Sequence, residues 1–131
     1  MRKVIFISMM ILLIVLLTAC GAGATTPAPS TAEKLVNIAV STNPDPAVVG
    51  DVELIFTITD ANGNPIEGAA MDVSADHTDM TGMTMSGVAI EQGGGRYAIK
   101  ANFSMSGNWK LTVHVRKEGL DYKEDIAIKI Q

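Results

Sequence analysis

The chain has 131 residues, with ten Lys and Arg against fourteen Asp and Glu and a net charge of −4 at pH 7. This acidic balance argues against nucleic acid as a partner, because binding to phosphates needs clustered Lys or Arg. The single cysteine, Cys20, excludes an internal disulfide, a cysteine-rich zinc site and an iron–sulfur cluster.

The N-terminus combines a basic start, a long apolar run and a group of small residues. Arg2 and Lys3 precede residues 4–17, which are almost wholly Val, Ile, Leu, Met and Phe. This order is typical of a secretory signal peptide, and the run is shorter than the roughly 20 residues that a membrane-spanning helix needs. We therefore predict a signal peptide over residues 1–19, with an uncleaved anchor as the alternative.

The four residues that end this segment, Leu17-Thr18-Ala19-Cys20, resemble the lipobox of bacterial lipoproteins at every position. The resemblance implies that Cys20 carries diacylglycerol, that the chain is cut before it, and that the new amino terminus is acylated. Loss of Arg2 and Lys3 leaves eight basic against fourteen acidic residues, a net charge of −6. Membrane attachment would then depend on the lipid, whose several acyl chains hold firmly, and not on a basic patch.

The mature chain divides into a short linker and one domain. Residues 20–33 comprise the acylated cysteine and a stretch of small residues and prolines that has too little apolar surface to order itself. We interpret this segment as a flexible linker. Residues 34–131 are long enough to bury a core without a disulfide and are predicted to form a single domain.

From Lys34 onward, apolar residues alternate with polar ones in seven short segments, which is typical of half-buried β-strands. Residues 60–65 and the glycines at 93–95 are turn signals between them. We predict an all-β fold, an immunoglobulin-like antiparallel β-sandwich of about seven strands, with a small open barrel as the alternative. The apolar positions that define the strands are Val36, Ile38, Val40; Val52, Leu54, Phe56, Ile58; Met71, Val73, Ala75; Val88, Ile90; Tyr97, Ile99, Ala101, Phe103; Trp109, Leu111, Val113, Val115; and Ile126, Ile128, Ile130.

Residues 76–87 interrupt this alternation between the third and fourth predicted strands. They contain His77, Met80, Met83 and Met85 among Thr, Asp, Gly and Ser. Thioether sulfur is a soft, neutral ligand that suits Cu(I) far better than Zn, Mg or Ca, and imidazole can complete such a set. These four residues are therefore the candidate metal ligands.

A packing role accounts for the same residues without a metal. Methionine fills irregular gaps in cores, and Met83 and Met85 have the spacing of inward-facing residues of a strand. In that interpretation Met80 covers the edge of the sandwich and His77 is a surface residue. The pattern alone leaves both interpretations open.

The domain resembles the YtkA-like family, which is related to the FixH proteins of bacterial oxidase assembly. The resemblance is carried by residues 50–52, the turn at residues 60–69, the loop with methionine and histidine, and residues 107–113. It implies an immunoglobulin-like sandwich outside the cytoplasm that handles copper. Because this loop has one histidine where a stronger Cu(II) site would show more, the comparison with the family favours Cu(I) or no metal at all.

Enzymatic motifs are missing from the sequence. It has no nucleophile elbow and no HExxH, and the glycines at 93–95 lack the Lys of a phosphate-binding loop. We predict a membrane-anchored extracytoplasmic lipoprotein, not an enzyme, that binds or shuttles copper and meets a copper donor or acceptor protein. The alternative is a metal-free interaction module that contacts a membrane-protein partner.

Overall fold

A computed structural model describes residues 34–131 of the chain. The predicted signal peptide, Cys20 and the linker up to residue 33 lie outside the described residues. Within residues 34–131 there are seven β-strands and no helix, so none is present there that could cross a membrane. The strands are β1 Val36–Asn43, β2 Gly50–Asp60, β3 Ala70–His77, β4 Thr84–Gly93, β5 Arg96–Phe103, β6 Gly107–Lys117 and β7 Leu120–Ile130.

The strands are hydrogen-bonded in the order β1-β2-β5-β4-β3-β6-β7, and every neighbouring pair is antiparallel. β4 pairs with β3 from Thr84 to Ala89 and with β5 from Ile90 onward. It therefore crosses from one sheet, β1-β2-β5-β4, to the other, β4-β3-β6-β7. The predicted all-β immunoglobulin-like sandwich is confirmed, and the shared strand joins its two sheets along one side as in an open barrel.

On the other side of the sandwich lie the outer strands β1 and β7. The N–H of Val49 donates to the carbonyl of Gln131 at 3.0 Å, and the N–H of Gln131 donates to the carbonyl of Ala47 at 2.9 Å. Further along β7, the Lys34 ammonium and the Glu124 carboxylate form an ion pair at 2.8 Å. These contacts tie the two edges together outside the regular strand pairing.

The core lies between the sheets and is built from the inward residues of all seven strands. Trp109, predicted from its alternation to be an inward residue, is buried, and its ring meets the ring of Phe103 edge to face at 5.0 Å. The largest buried side chains are Trp109, Tyr97, Phe56, Phe103, Leu54, Ile58, Met71, Leu111 and Ile130.

One end of the sandwich, which we call the glycine end, is formed by residues 60–69, 93–95 and 118–119. The Asp60 carboxylate accepts the backbone N–H groups of Asn62 at 2.8 Å and of Asn64 at 2.9 Å, and the Asn64 amide donates to it as well. These bonds, chiefly those from Asn64, lower the pKa of Asp60 below its ordinary value. The Glu67 carboxylate accepts the N–H of Gly94 at 2.6 Å and so joins the two turns.

The predicted interruption over residues 76–87 is wrong in extent. β3 continues to His77 and β4 begins at Thr84, so only residues 78–83 form the connection. The strands continue because Ala75 pairs with Met85 and Asp76 pairs with Thr84, whose hydroxyl donates to the Asp76 carboxylate at 2.6 Å. The polar side chains of Asp76 and Thr84 are hydrogen-bonded to each other across the two strands, so the strand pairing can continue through this polar segment.

The predicted face of β4 is also wrong. Val88 and Ile90, taken from the sequence as its half-buried residues, are 57% and 63% exposed. The inward positions are Met85, Gly87 and Ala89, and two of these three residues are small. The space at Gly87 admits no side chain while Ile99 keeps this position, since a Cβ on Gly87 would stand 2.7 Å from the Cδ1 of Ile99.

Candidate functional site

The candidate ligands lie at the end of the sandwich opposite the glycine end. We call this the methionine end; it comprises residues 77–85 and 104–107. The N–H of His77 donates to the carbonyl of Met83 at 3.0 Å, which closes the β3–β4 connection. The next residue, Thr78, donates its N–H and its hydroxyl to the carbonyl of Asn108, at 2.9 and 3.0 Å. The β3–β4 connection is thereby attached to the start of β6.

The imidazole of His77 is buried, with 8% of the residue exposed. Its Nδ1 accepts the N–H of Asp79 at 3.2 Å, so the ring proton lies on Nε2, which donates to the carbonyl of Ser106 at 3.2 Å. The ring also meets Trp109 edge to face at 5.0 Å. His77 is therefore a buried link between two loops, and the surface position considered from the sequence is wrong.

Gly107 allows this close packing of the histidine ring. A Cβ at this position would stand 2.5 Å from Nε2 of His77, and the residue has φ +135°, where side chains are strained. The backbone of Gly107 thus covers the Nε2 side of the ring. Approach of a metal to that nitrogen would require the β5–β6 turn to move.

The three candidate methionines lie in different surroundings. Met80 is 48% exposed in the β3–β4 connection. Met83 ends that connection and Met85 lies in β4, and both are half-buried against the core. Met105, in the neighbouring β5–β6 turn, is also half-buried, and its carbonyl accepts the indole N–H of Trp109 at 3.3 Å. The methionine end thus presents thioethers from two adjoining segments.

These donors differ in how ready they are to bind a metal. Neither ring nitrogen of His77 has a free lone pair in this arrangement, because Nδ1 accepts a hydrogen bond and Nε2 carries the proton. The thioethers need no deprotonation and give up no strong hydrogen bond. Among residues 34–131, no cluster of three or more His, Cys, Asp or Glu side chains is arranged to hold a metal ion. Coordination by His77 stays a prediction that requires a rearranged loop.

A cleft that the sequence did not predict opens beside the methionine end. It lies between the first half of β4 and the second half of β5, where the two strands are not paired, and its volume is about 240 Å³. The sequence feature that goes with this cleft is the pair of small residues Ser86 and Gly87 in β4, which falls within the predicted interruption over residues 76–87. The lining residues are Leu54, Val73, Ala75, Met85, Ser86, Gly87, Ile99, Lys100, Ala101 and Asn102.

The second histidine, His114, lies apart from this end. It is on β6, and its Nε2 is 2.7 Å from the Asp121 carboxylate of β7. His114 pairs with Asp72 of β3 and Lys123 of β7 in the register of the sheet, toward the glycine end. It therefore adds no donor to the methionine end.

The chain is similar to a solved structure and matches a protein family. No curated protein matches the chain. The crystal structure of the PmoD soluble domain from Methylocystis sp. strain Rockwell is similar over 73% of this chain and 90% of that chain, with 14% identity and a TM-score of 0.48. The YtkA-like family matches residues 31–114, well over half of the sequence. The chain therefore belongs to the YtkA-like family.

Proposed function

We propose that this protein binds Cu(I) as a cargo ion at its methionine end, outside the cytoplasm, and passes it to another protein. The observation that supports the proposal is the grouping of Met80, Met83 and Met85 on one connection and the strand that follows it. Met105 lies in the turn to which this connection is attached. Thioethers of this kind are the ligands that Cu(I) prefers.

The differing exposure of the methionines suits uptake and release. Met80 is accessible and would meet an incoming ion first, whereas Met83 and Met85 are half-buried and would hold it away from water. Ligand exchange then proceeds one sulfur at a time, and the thioethers neither gain nor lose a proton. His77 contributes in a different way: it fixes the connection that carries the sulfurs.

A titration with matched variants tests this proposal. The full chain, with Cys20→Ser in both proteins so that no free thiol competes for the ion, is titrated anaerobically in detergent with Cu(I) against a chromogenic competing ligand, beside a variant with Met80, Met83 and Met85 replaced by Leu. Leu conserves volume, so each change costs less than about 1.5 kcal/mol and the fold is kept. We expect one ion bound by the native chain and none by the variant. Equal competition by both proteins would overturn the proposal.

A second variant separates the imidazole from the thioethers. His77→Phe keeps an aromatic ring against Trp109 and removes both ring nitrogens. If thioethers alone hold the ion, this variant still binds Cu(I). If His77 releases Nδ1 to become a ligand, the affinity of His77→Phe for Cu(I) falls, as it does in the triple methionine variant.

We also propose that Cys20 anchors the protein, outside the cytoplasm, to the inner or the outer membrane of a bacterium. The support is the basic start, the apolar run and the four-residue lipobox match in the sequence. Cys20→Ser should move the protein from the membrane fraction to the soluble fraction. Retention of this variant in the membrane, with residues 1–19 uncleaved, would contradict the anchor.

A second candidate function is protein binding without a metal. The exposed apolar side chains of Val88 and Ile90 on the outer face of β4 favour it, since contiguous exposed apolar surface marks interaction sites. Ala98, which pairs with Ile90, continues this surface onto β5, and its cross-strand partner Ile55 continues it onto β2.

A further inference from the structure

The cleft between β4 and β5 is bounded by two unpaired strand edges, and the hydrogen bonds around them show which backbone groups face it. In the β2–β5 ladder, the N–H of Ile58 donates to the carbonyl of Gly95 at 2.8 Å. Because backbone groups alternate in direction along a strand, Ile99 and Ala101 also bond to β2. The N–H and C=O groups of Lys100 and Asn102 therefore point into the cleft.

The facing wall follows the same rule. In the β3–β4 ladder the N–H of His77 donates to the carbonyl of Met83, so the backbone groups of Met85 and Gly87 bond to β3. Those of Ser86 and Val88 point toward β5. Within residues 34–131, however, β4 and β5 pair only from Ile90 onward. The cleft thus has two rows of backbone donors and acceptors without strand partners.

The bottom of the cleft is apolar and its opening is partly filled by one side chain. Leu54, Val73 and Ala75 line it from below, and all three belong to the core. The Ile99 side chain lies across the gap against Gly87, where no side chain stands in its way. Rotation of the half-buried Ile99 side chain would widen the cleft without moving the core.

The rim carries a positive charge and an apolar margin. Lys100 lines the opening and is exposed; Glu53 is opposite it on β2, but in the described part of the chain no carboxylate lies within 4.0 Å of the Lys100 ammonium. Val88 and Ile90 lie beside it on the outer face of β4, exposed to solvent. An occupant that matches this rim brings a carboxylate to Lys100 and apolar side chains to the cleft and its margin.

We propose that the cleft binds one extended segment of a partner protein as an added β-strand, with an apolar residue in the cleft and an acidic residue beside Lys100. Water solvates these exposed groups in the free protein, and an extended backbone is the protein segment whose own donors and acceptors match both rows. The added strand stands between the first half of β4 and the second half of β5, which must separate further to admit it, because the Ile99 Cδ1 lies only 2.7 Å from the position of a Cβ on Gly87. The proposal depends neither on copper nor on the lipid anchor.

Amide exchange tests the strand directly. The full chain in phosphatidylcholine nanodiscs, without copper, is mixed with an octapeptide of alternating valine and glutamate, and exchange is followed residue by residue by NMR. We expect slowing of about tenfold or more at the amides of Ser86, Val88, Lys100 and Asn102, since only these gain partners. The amides of residues 85, 87, 99 and 101 are already protected by native pairing and should not change.

Control ligands distinguish a strand from any other apolar occupant. The same peptide with N-methylated valines keeps the side chains but loses backbone donors, and it should not bind. Decanoate tests the cleft for an acyl chain. The proposal would be overturned if decanoate binds and the peptide does not, or if the N-methylated peptide binds as tightly as the unmodified one. Absence of peptide binding at about 1 mM would overturn it as well.

Two variants give opposite expected shifts in peptide affinity, measured by fluorescence anisotropy, and a third is the control. Lys100→Glu should weaken binding by about threefold or more, whereas Lys129→Glu, an exposed lysine on β7, should leave it unchanged. Ile99→Ala clears the opening and should tighten binding by about threefold. A gain of affinity in Ile99→Ala is not explained by damage to the fold, and weaker binding by this variant would contradict the proposed site.

Discussion

The two ends of the sandwich are closed by different means. At the glycine end, carboxylates of Asp60 and Glu67 accept backbone N–H groups of nearby turns, and the bonds lie at the surface. At the methionine end, the buried ring of His77 joins segments that are about thirty residues apart in the chain, and it packs on Trp109. Both ends are also joined to the core, since the hydroxyl of the buried Tyr97 forms two hydrogen bonds of 3.0 Å with the turn at the glycine end. The comparison teaches that exposed carboxylates provide the further links at the glycine end, whereas a buried ring in aromatic contact with the core provides them at the methionine end.

The largest effect should follow from Trp109→Ala. The indole ring contacts both Phe103 and His77, so its loss leaves a cavity under the whole methionine end. We expect a loss of about 3–5 kcal/mol in the free energy of unfolding, measured by denaturant titration. A loss below about 1 kcal/mol would show that the methionine end does not depend on the core.

A pair of glycine substitutions compares the ends directly. Gly107→Ala and Gly63→Ala both place a side chain at positive φ, but only the Cβ at position 107 meets another group, the ring of His77. We expect Gly107→Ala to cost about 1–3 kcal/mol more than Gly63→Ala in denaturant titrations.

The double variant Gly107→Ala with His77→Ala checks the cause of this difference. If the ring is responsible, the two changes together should destabilise the protein by less than the sum of the single changes. Strict additivity would show that the backbone angle at Gly107, and not the contact with His77, sets the cost.

The smallest effect should appear at the glycine end, in the pH dependence of Asp60→Asn. Hydrogen bonds from Asn64 hold the pKa of Asp60 below 3.8, so the ionised carboxylate stabilises the fold above that pH. This contribution is lost as the pH falls through the lowered pKa. The native chain should therefore melt above the variant at pH 7, and the difference in Tm should shrink on acidification to about pH 2.5. A difference that stays constant with pH would contradict this account.

The same contrast explains what could be predicted from the sequence. The turns at residues 60–65 and 93–95 were predicted because Asp, Asn and Gly act on their immediate neighbours. The inward face of β4 was not predicted correctly, because its exposed Val88 and Ile90 are more apolar than its inward Gly87. Gly87 is explained only by Ile99 on another strand, and periodicity within one segment carries no such information.

Two features of the candidate site were beyond the sequence for a similar reason. His77 was considered as a ligand or a surface residue, since its bond to Ser106 and its contact with Trp109 come from distant segments. The cleft between β4 and β5 arises where two strands part, and strand pairing is a property of the sheet as a whole. Met80, Met83 and Met85 could be singled out because their number in a short polar segment is unusual.

The passage of β4 from one sheet to the other has a consequence for cooperativity. Strands that belong to separate sheets can open as separate units, but β4 contributes pairing to both. Loss of β4 would leave β5 and β3 with bare inner edges and expose the core from both sides. The two sheets should therefore unfold in a single transition, and the slowest-exchanging amides of β2 and β6 should report the same free energy of opening.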